Sequence, residues 1–353
     1  MSSPRTSEQV GAPRALRSEP GPADDVLWDP VAVADGAARV VAAVEQVLLG
    51  KGEVVRTAVM TLIAGGHLLV EDVPGVGKTV LAKALARAVD CSVSRVQFTP
   101  DLLPSDVTGV TVYDRRTAEF DFRPGPVFAN MVVADEINRA SPKTQSALLE
   151  CMEEHQVTVD ATTYSLAEPF MVLATQNPVE MEGTYPLPEA QRDRFTTRIS
   201  LGYPHPDAEL AMIEGHAAAD PVDRVRPVCT AADVRSMIAG ARAVHVAPEL
   251  RRYVVELVSA TRTSPLVRLG ASPRATLHLV RAARARAAMA GRDHVLPDDV
   301  HAVAVPVLAH RLLLTGEARA ARREPGDVVH QLLDHLVVPR GGPSGPAARH
   351  GQR

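Results

Sequence analysis

The sequence predicts an α/β domain built on a parallel β-sheet, followed by an all-α domain. Between about residues 65 and 201, short β-like runs alternate with helical patterns, which is typical of a parallel sheet with flanking helices. Two of the runs, "MVVAD" (131–135) and "FMVLAT" (170–175), are apolar up to their last residue, as expected of strands covered on both faces. From about residue 207 the pattern becomes helical and indicates a second domain.

Local patterns predict five strands in the α/β domain and six helices in the second domain. The strands are predicted at 67–71, 93–98, 131–135, 170–175 and 195–200. The helices are predicted at 207–217, 230–239, 248–264, 272–290, 297–314 and 327–337. Gly240 directly follows the second of these helices and is expected to end it, whereas Pro297 and the acids after it favour a helix start.

The composition of both ends of the chain sets them apart from the two domains. Residues 1–26 and 339–353 are rich in Ser, Pro, Gly, Ala and Arg, which is typical of disordered tails. The predicted organisation is therefore a tail (1–26), an α/β domain (27–203), a helical domain (204–338) and a second tail (339–353).

Charge and composition disfavour several classes of function. The net charge is −4 and 3% of residues are aromatic, which argues against electrostatic or stacking recognition of nucleic acid. Three scattered cysteines form no C-x-x-C pair, which fits a reducing compartment. No apolar run approaches the ~18 residues of a membrane span, so we expect a cytoplasmic protein without membrane insertion.

The stretch "EDVPGVGKT" (71–79) has the context of a phosphate-binding loop, because an apolar strand precedes it and a helical pattern follows it. Its glycines let backbone N–H groups approach phosphate oxygens at the start of a helix. Lys78 is expected to reach the β- and γ-phosphates, and the Thr79 hydroxyl to bind Mg²⁺. The residues predicted to line the nucleotide are Pro74, Gly75, Val76, Gly77, Lys78, Thr79 and Val80.

Asp72 breaks the strict pattern G-x-x-x-x-G-K-[ST], which requires a glycine at that position. Pro74 and Gly75 can make the turn instead. We therefore expect the Asp72 side chain to point away from the nucleotide, toward a neighbouring backbone N–H or a basic side chain.

Polar residues follow the two apolar strands. Asp135 and Glu136 lie in "MVVADEINRA" (131–140), and Asn177 lies in "FMVLATQNP" (170–178). Because functional groups collect at the carboxyl ends of parallel strands, these side chains are expected beside the phosphate-binding loop. Asp135 would join the Mg²⁺ shell, Glu136 would polarise the attacking water, and Asn177 could orient that water. Taken alone, each motif has an ordinary alternative: an acidic strand end that faces solvent, or an Asn-Pro turn.

Three further phrases, "FTPDLLPSDVTG" (98–109), "YPLPEAQRDRF" (185–195) and "GASPRA" (270–275), complete a series that resembles the MoxR family of AAA+ ATPases over about residues 40 to 335. The resemblance implies an AAA+ P-loop domain with a five-stranded parallel sheet and flanking helices, followed by an all-α lid. It implies that ATP lies at the subunit interfaces of a ring. Lys78 and Thr79 match the Walker A positions, Asp135 and Glu136 match Walker B, and Asn177 matches sensor 1.

Other assignments depend on the resemblance alone. Arg194 of "DRF" matches the arginine finger, which is supplied in trans to a neighbour's γ-phosphate. Arg274 matches sensor 2, a lid arginine that reads the phosphate, and Gly50 and Lys51 match a segment beside the adenine. The family phrase has an apolar residue where this chain has Arg192, so Arg192 and Arg194 both remain candidates for the finger. A surface salt bridge is the alternative for each.

The resemblance also implies what the protein does. It implies hydrolysis of ATP to ADP and phosphate with Mg²⁺, a homo-oligomeric ring expected to be a hexamer, and chaperone-like work on client proteins. It further implies a partner with a von Willebrand factor A domain. Two insertions, 98–128 and 156–170, are each predicted to form a hairpin that faces the pore or the client. Two alternatives stay open: a nucleic-acid-stimulated motor, and an ATP-gated scaffold that does not hydrolyse.

Overall fold

The computed structural model describes residues 27–73, 75–177, 185–203, 206 and 221–339, and the elements are numbered in chain order over these residues. The strands are β1 (Leu68–Glu71), β2 (Val93–Gln97), β3 (Gly109–Asp114), β4 (Glu119–Pro124), β5 (Met131–Asp135), β6 (Gln156–Val159), β7 (Thr162–Ser165), β8 (Met171–Gln176), β9 (Thr197–Ile199), β10 (Val267–Leu269) and β11 (Leu313–Leu314). The α-helices are α1 (Pro30–Glu45), α2 (Gly52–Ile63), α3 (Lys78–Ala88), α4 (Pro104–Thr108), α5 (Pro142–Glu154), α6 (Glu189–Arg192), α7 (Ala231–Ala243), α8 (Pro248–Thr263), α9 (Pro273–Met289), α10 (Pro297–Leu308), α11 (Gly316–Ala320) and α12 (Pro325–His335).

Five strands form one parallel sheet in the order β2-β5-β8-β1-β9, which confirms the predicted α/β architecture. Four of these strands lie inside their predicted ranges, and β8 extends one residue further. Because all five strands run in the same direction, their carboxyl ends meet at one edge of the sheet and their amino ends at the other. Each edge therefore brings together loops from distant parts of the chain.

Successive residues of the central strands point to opposite faces of the sheet, and each face has its own core. On one face, Leu68 and Val70 belong to the same buried cluster as the apolar residues of α1, α2 and α3. On the other face, Leu69 is buried in one cluster with Leu148 and Leu149 of α5. The unbroken apolar runs in the sequence follow from this burial on both sides.

The helices of the second domain share the first of these cores. The helices predicted at 230–239, 248–264, 272–290 and 327–337 are confirmed as α7, α8, α9 and α12, with shifted ends. Helix α1, from the predicted α/β domain, packs against α7 and α9 of the helical domain, so the two domains share a core. The domain boundary at 203 therefore stays a prediction from the sequence. Within the described part of the chain, no helix has both the length and the apolarity that crossing a membrane requires.

Gly240 was expected to end its helix, but this prediction is wrong. Helix α7 continues through it to Ala243, and Gly240 is buried. A Cβ at this position would lie 2.4 Å from the carbonyl oxygen of Trp28. Gly240 is therefore required for close packing of α7 on the segment before α1, a contact that local sequence does not reveal.

The helix predicted at 297–314 is also wrong in its last six residues. Helix α10 ends at Leu308, a short 3₁₀ turn follows, and the chain then extends as β11. Strand β11 pairs antiparallel with β10, and neither strand was predicted. Next to this pair, the Thr315 N–H donates to the Leu266 carbonyl at 3.0 Å. The predicted helix at 207–217, the tail at 1–26 and residues 340–353 of the second tail lie outside the described residues.

The two predicted hairpins are confirmed, and they touch one another. The first insertion forms α4 and the hairpin β3–β4, and the second forms the hairpin β6–β7. The rings of Phe122 on β4 and Tyr164 on β7 stack with centroids 4.3 Å apart and planes inclined by 13°. Phe128 packs edge-on against both rings. The two insertions thus form one connected surface unit.

Candidate functional site

The loop between β1 and α3 carries the predicted phosphate-binding residues, of which Pro74 lies outside the described residues. Gly75 and Gly77 have φ angles of 85° and 97°, in the left-handed region that favours glycine. Helix α3 begins directly after Gly77, and no described side chain caps its first turn. Val76 and Val80 pack, partly buried, against the core beneath the loop. The loop therefore offers backbone N–H donors and the positive end of a helix dipole to an anion.

Lys78 reaches across the carboxyl ends of β1 and β8. Its Nζ donates to the carbonyl of Asp72 at 2.6 Å and lies 3.5 Å from the carbonyl of Gln176. Burial lowers the pKa of Lys78, and the carboxylates of Asp72, Glu136 and Asp135 act against this decrease. The ammonium group thus lies within electrostatic reach of the acids that follow β5.

The Asp72 carboxylate turns to the segment that follows β9. Its Oδ1 accepts from the Val73 N–H at 2.8 Å, and its Oδ2 accepts from the Ser200 hydroxyl at 2.9 Å and the Gly202 N–H at 2.6 Å. Burial alone would raise the pKa of Asp72, but these donors outweigh it and hold the pKa below its ordinary value. The acid that breaks the loop pattern therefore binds backbone N–H groups, as expected, and ties β1 to the end of β9.

The buried Asp135 carboxylate is held by three side chains. Its Oδ2 lies 3.3 Å from Thr79 Oγ1 and 2.6 Å from Arg95 Nε, and its Oδ1 accepts from Thr175 Oγ1 at 3.2 Å. The same Thr175 oxygen accepts from the Glu136 N–H at 2.9 Å. Thr175 and Arg95 were not predicted as site residues, although Thr175 is the polar last residue of the apolar run 170–175.

Glu136 and Asn177 follow neighbouring strands at the same edge of the sheet. Glu136 has a φ angle of 55°, a strained conformation of the kind that clusters at functional sites. Its Oε2 accepts from Gln97 Nε2 at 3.2 Å and from Arg139 Nη1 at 2.9 Å. The backbone carbonyl of Asn177 accepts from Asn138 Nδ2 at 3.4 Å. The carboxyl edge thus brings together the predicted acids and the predicted amide beside the loop.

Gly50 and Lys51 lie near the same loop. Lys51 Nζ donates to the carbonyls of Leu201, Gly202 and Tyr203, at 3.2 Å for Gly202 and 2.9 Å for Tyr203. The segment just before them is in contact with the loop, because Leu48 Cδ2 lies 3.7 Å from where a Cβ of Gly77 would be. The Lys51 side chain therefore binds the last described segment of the α/β domain, residues 201–203, to the start of α2.

Arg194 and Arg274 lie together at the opposite edge of the sheet. Arg194 Nη2 is 3.2 Å from Glu153 Oε2, and Arg274 Nη2 donates to Glu153 Oε1. With His67, which directly precedes β1, they line a cleft of about 240 Å³. Arg192 does not share the Glu153 contact, and within the described part of the chain its Nε has no hydrogen-bond partner.

Strand β1 separates the two groups of residues. Its four residues span about 13 Å at ~3.3 Å per residue, with His67 before them and the phosphate-binding loop after them. One subunit therefore presents Lys78, Asp135 and Glu136 at one edge of the sheet and two clustered arginines at the other.

Comparison with known proteins identifies the two parts of the chain. Residues 67–197 match the model of the ATPase family associated with various cellular activities (AAA), and residues 259–332 match an AAA lid domain. The protein YeaC of Bacillus subtilis is 47% identical over 296 residues, which cover 84% of this chain and 92% of YeaC. The chaperone MoxR1 of Mycobacterium tuberculosis is 42% identical over 313 residues, which cover 86% of this chain and 82% of MoxR1. A crystal structure of a candidate ATPase from Cytophaga hutchinsonii aligns with a TM-score of 0.82 at 39% identity, covering 88% of this chain and 97% of that one.

Proposed function

Because the chain belongs to the MoxR family of AAA+ ATPases, we propose that it hydrolyses ATP to ADP and phosphate at sites shared between neighbouring subunits. The observation that carries this proposal is the placement of two half-sites at opposite edges of one sheet. Each half contains part of what phosphoryl transfer requires: anion-binding groups and a base in one, and a pair of cations in the other.

The first half-site would bind the nucleotide. Lys78 and the N–H groups of the first turn of α3 would bind the phosphates, with Gly50 and Lys51 bordering the adenine. Glu136 would accept a proton from the attacking water, and Asn177 would orient that water. Because Gln97 and Arg139 also hold the Glu136 carboxylate, they would control its approach to the water, and so the loss of either donor should change turnover. Correct positioning accounts for much of catalysis in this kind of site.

The residues at the carboxyl edge also fit a magnesium ion bound together with ATP. Thr79 and Asp135 supply a hydroxyl and a carboxylate, the hard oxygen ligands that Mg²⁺ prefers, and these groups already lie 3.3 Å apart. When bound, Mg²⁺ neutralises charge on the β- and γ-phosphates. Arg95 holds the Asp135 carboxylate in place through an ion pair.

The second half-site would act on the nucleotide of the adjacent subunit. Arg194 and Arg274 lie a strand length from the phosphate-binding loop of their own chain, so a neighbour's γ-phosphate is the better candidate for their charge. The Glu153 carboxylate already lies between the two guanidinium groups, which supports an anion as their ligand. We assign the arginine finger to Arg194 rather than Arg192, because Arg194 shares this carboxylate with the lid arginine.

The energy of hydrolysis would drive chaperone-like work on client proteins. The relative in Mycobacterium tuberculosis is named a chaperone. The unit formed by the two stacked hairpins would supply the client-facing surface, since it exposes the large apolar side chain of Phe120. We propose a homohexameric ring and a partner with a von Willebrand factor A domain.

Mixing two inactive variants tests the shared site. Lys78→Ala should be inactive alone because it lacks the lysine that binds the phosphates. Arg194→Ala should be inactive alone because an arginine finger contributes ~10³–10⁵ in rate. A one-to-one mixture should recover up to about a quarter of wild-type activity, because Arg194→Ala subunits supply an intact loop and Lys78→Ala neighbours supply an intact arginine across a head-to-tail interface. No recovery from variants that still assemble would refute the shared site.

A trapping experiment separates the chaperone function from its alternatives. Glu136→Gln should bind ATP without turning it over and hold its client in a pull-down. Recovery of nucleic acid alone would favour the nucleic-acid-stimulated motor. If turnover were at background level in both the wild type and Glu136→Gln while ATP still drove assembly, the scaffold would instead be favoured.

A further inference from the structure

Arg311 is a buried arginine at the contact between the helical domain and the α/β domain. It ends the 3₁₀ turn Ala309–Arg311 after α10, and its side chain is 1% exposed. Burial lowers the pKa of Arg311 to about 10, and the Asp193 carboxylate acts against this decrease. Because a buried charge is costly unless it is paired and hydrogen-bonded, the partners of Arg311 are a specific part of the fold.

The guanidinium group binds the chain on both sides of Arg194. Arg311 Nε donates to Asp193 Oδ1 at 2.8 Å, and Nη2 donates to the carbonyls of Asp193 at 2.9 Å and Phe195 at 2.6 Å. Nη1 also lies 3.4 Å from the carbonyl of Thr196. The backbone that carries Arg194 is therefore fixed to a residue of the helical domain.

Within the helical domain, three further atoms lie within hydrogen-bond distance of the Arg311 guanidinium group. Nη1 donates to the Val307 carbonyl and lies 2.9 Å from His310 Nε2, and Nη2 lies 2.7 Å from His278 Nδ1. Burial lowers the pKa of His278 to about 2, and burial also lowers the pKa of His310 well below its usual value. Both rings are neutral at ordinary pH and can accept hydrogen bonds.

Asp193 extends the same cluster to the second arginine. Its Oδ2 accepts from the Ser272 hydroxyl at 2.7 Å and lies 3.9 Å from Arg274 Nη1. Ser272 is also the N-cap of α9, where its oxygen accepts from the Arg274 N–H at 3.1 Å. The pair of Asp193 and Arg311 thus connects Arg194, its neighbour in sequence, with Arg274 on the lid.

We propose that Arg311 is a positioning residue that couples Arg194 to the helical lid, so that Arg194 and Arg274 move as one unit toward the neighbour's nucleotide. The proposal rests on the shared ATP site proposed above. Arg194 belongs to the α/β domain by sequence, yet the main-chain carbonyls of the residues on both sides of it are bonded to the lid. A change at Arg311 should therefore alter the rate at the adjacent site and leave ATP binding by its own subunit unchanged.

Arg311→Lys tests this role while keeping the positive charge. Lysine has a single compact donor group and cannot reproduce the planar fork that bonds Asp193, Phe195 and His278 together. Because a displacement of about 1 Å can cost ~10²-fold in rate, we expect kcat to fall by about 10- to 100-fold. The KM for ATP and the ATP-induced rise in Tm should not change. The matched control is Arg292→Lys, which alters an arginine–aspartate pair inside the helical domain, with Asp299 at 2.6 Å and 2.7 Å, and should leave kcat unchanged.

Mixtures distinguish this proposal from the one on which it rests. Arg311→Lys mixed with Lys78→Ala should recover activity, because Lys78→Ala subunits carry an intact pair of arginines. If Arg194→Ala does not recover with Lys78→Ala, the shared site itself is wrong. If that pair recovers, the positioning role is overturned by either of two results: wild-type kcat in Arg311→Lys, or no recovery when it is mixed with Lys78→Ala.

A milder variant covers the case in which Arg311→Lys does not fold, shown by the loss of its ATP-induced rise in Tm. Ser272→Ala removes one hydroxyl from Asp193 together with the N-cap of α9, and it leaves Arg311 intact. We expect kcat to fall several-fold at an unchanged KM for ATP. An unchanged kcat would show that the cluster stabilises the fold without positioning the arginines.

Discussion

Replacing Asp72 with alanine should lower the stability of the protein without weakening nucleotide binding. The carboxylate is 7% exposed and accepts three hydrogen bonds, two of them from the segment after β9. Hydrogen bonds to a charged group contribute ~1.5–3 kcal/mol each, and a buried donor left without an acceptor adds to the loss. Since water can reach part of the vacated site, we expect a total destabilisation of about 3 kcal/mol.

Thermal unfolding with and without ATP measures both halves of this prediction. For a domain of this size, 1 kcal/mol corresponds to roughly 2–4 °C, so the Tm of Asp72→Ala should fall by about 6–12 °C. ATP at a hundredfold excess over its Kd adds about 2.7 kcal/mol, and this increment should be the same in Asp72→Ala as in the wild type. Lys78→Ala should show the reverse pattern. An unchanged Tm together with a lost ATP effect in Asp72→Ala would refute the reasoning and place the acid in the nucleotide site.

The pH dependence gives an independent check on Asp72. Its pKa is held below the ordinary value of ~3.9, so the folded state binds its proton less readily than the unfolded state does. The stabilisation is therefore complete above the unfolded pKa and is lost as the pH falls through the lower folded pKa. The difference in stability between wild type and Asp72→Ala should stay constant from pH 8 to pH 5 and shrink below about pH 4.

The remaining predictions concern the two half-sites and one buried histidine. Glu136→Gln should lower turnover by about 10²–10⁴ in a phosphate-release assay, with the ATP Kd from calorimetry unchanged. Arg194→Ala should lower kcat by at least ~10³, whereas Arg192→Ala should have little effect; the opposite result would make Arg192 the finger. Burial lowers the pKa of His67 to about 4, so His67 takes up a proton more readily in the unfolded state. The free energy of unfolding should fall by up to ~1.4 kcal/mol per pH unit as the pH decreases from about 6.5 to 4. In urea unfolding at several pH values, the free energy of unfolding of His67→Asn should depend less on pH than that of the wild type.

Local patterns in the sequence were sufficient to predict the sheet and the carboxyl-edge half of the candidate site. The loop residues from Gly75 to Val80 and the acids after β5 are specified by short motifs, and the parallel arrangement of the strands brings them to one edge. Their catalytic and binding roles remain predictions.

What could not be predicted depends on contacts between distant positions. Gly240 was misread because the reason for its glycine is the Trp28 carbonyl, far away in sequence. Strand β11 was read as helix because its apolar residues continue a helical period until they pair with β10. Arg311 lies 116 positions from the Phe195 carbonyl that it binds, and an arginine after an apolar helix carries no signal of that kind.

The placement of the half-sites at opposite edges of one sheet has a consequence for stoichiometry. The proposed shared site requires a head-to-tail contact, which is not self-complementary, so a twofold dimer would not complete both of its sites. An open row of subunits always leaves one nucleotide pocket and one arginine pair unmatched at its ends, and only closure of the row completes all of them. Specific activity should then rise steeply with protein concentration and fall on dilution, which would make hydrolysis depend on how much of the protein the cell contains.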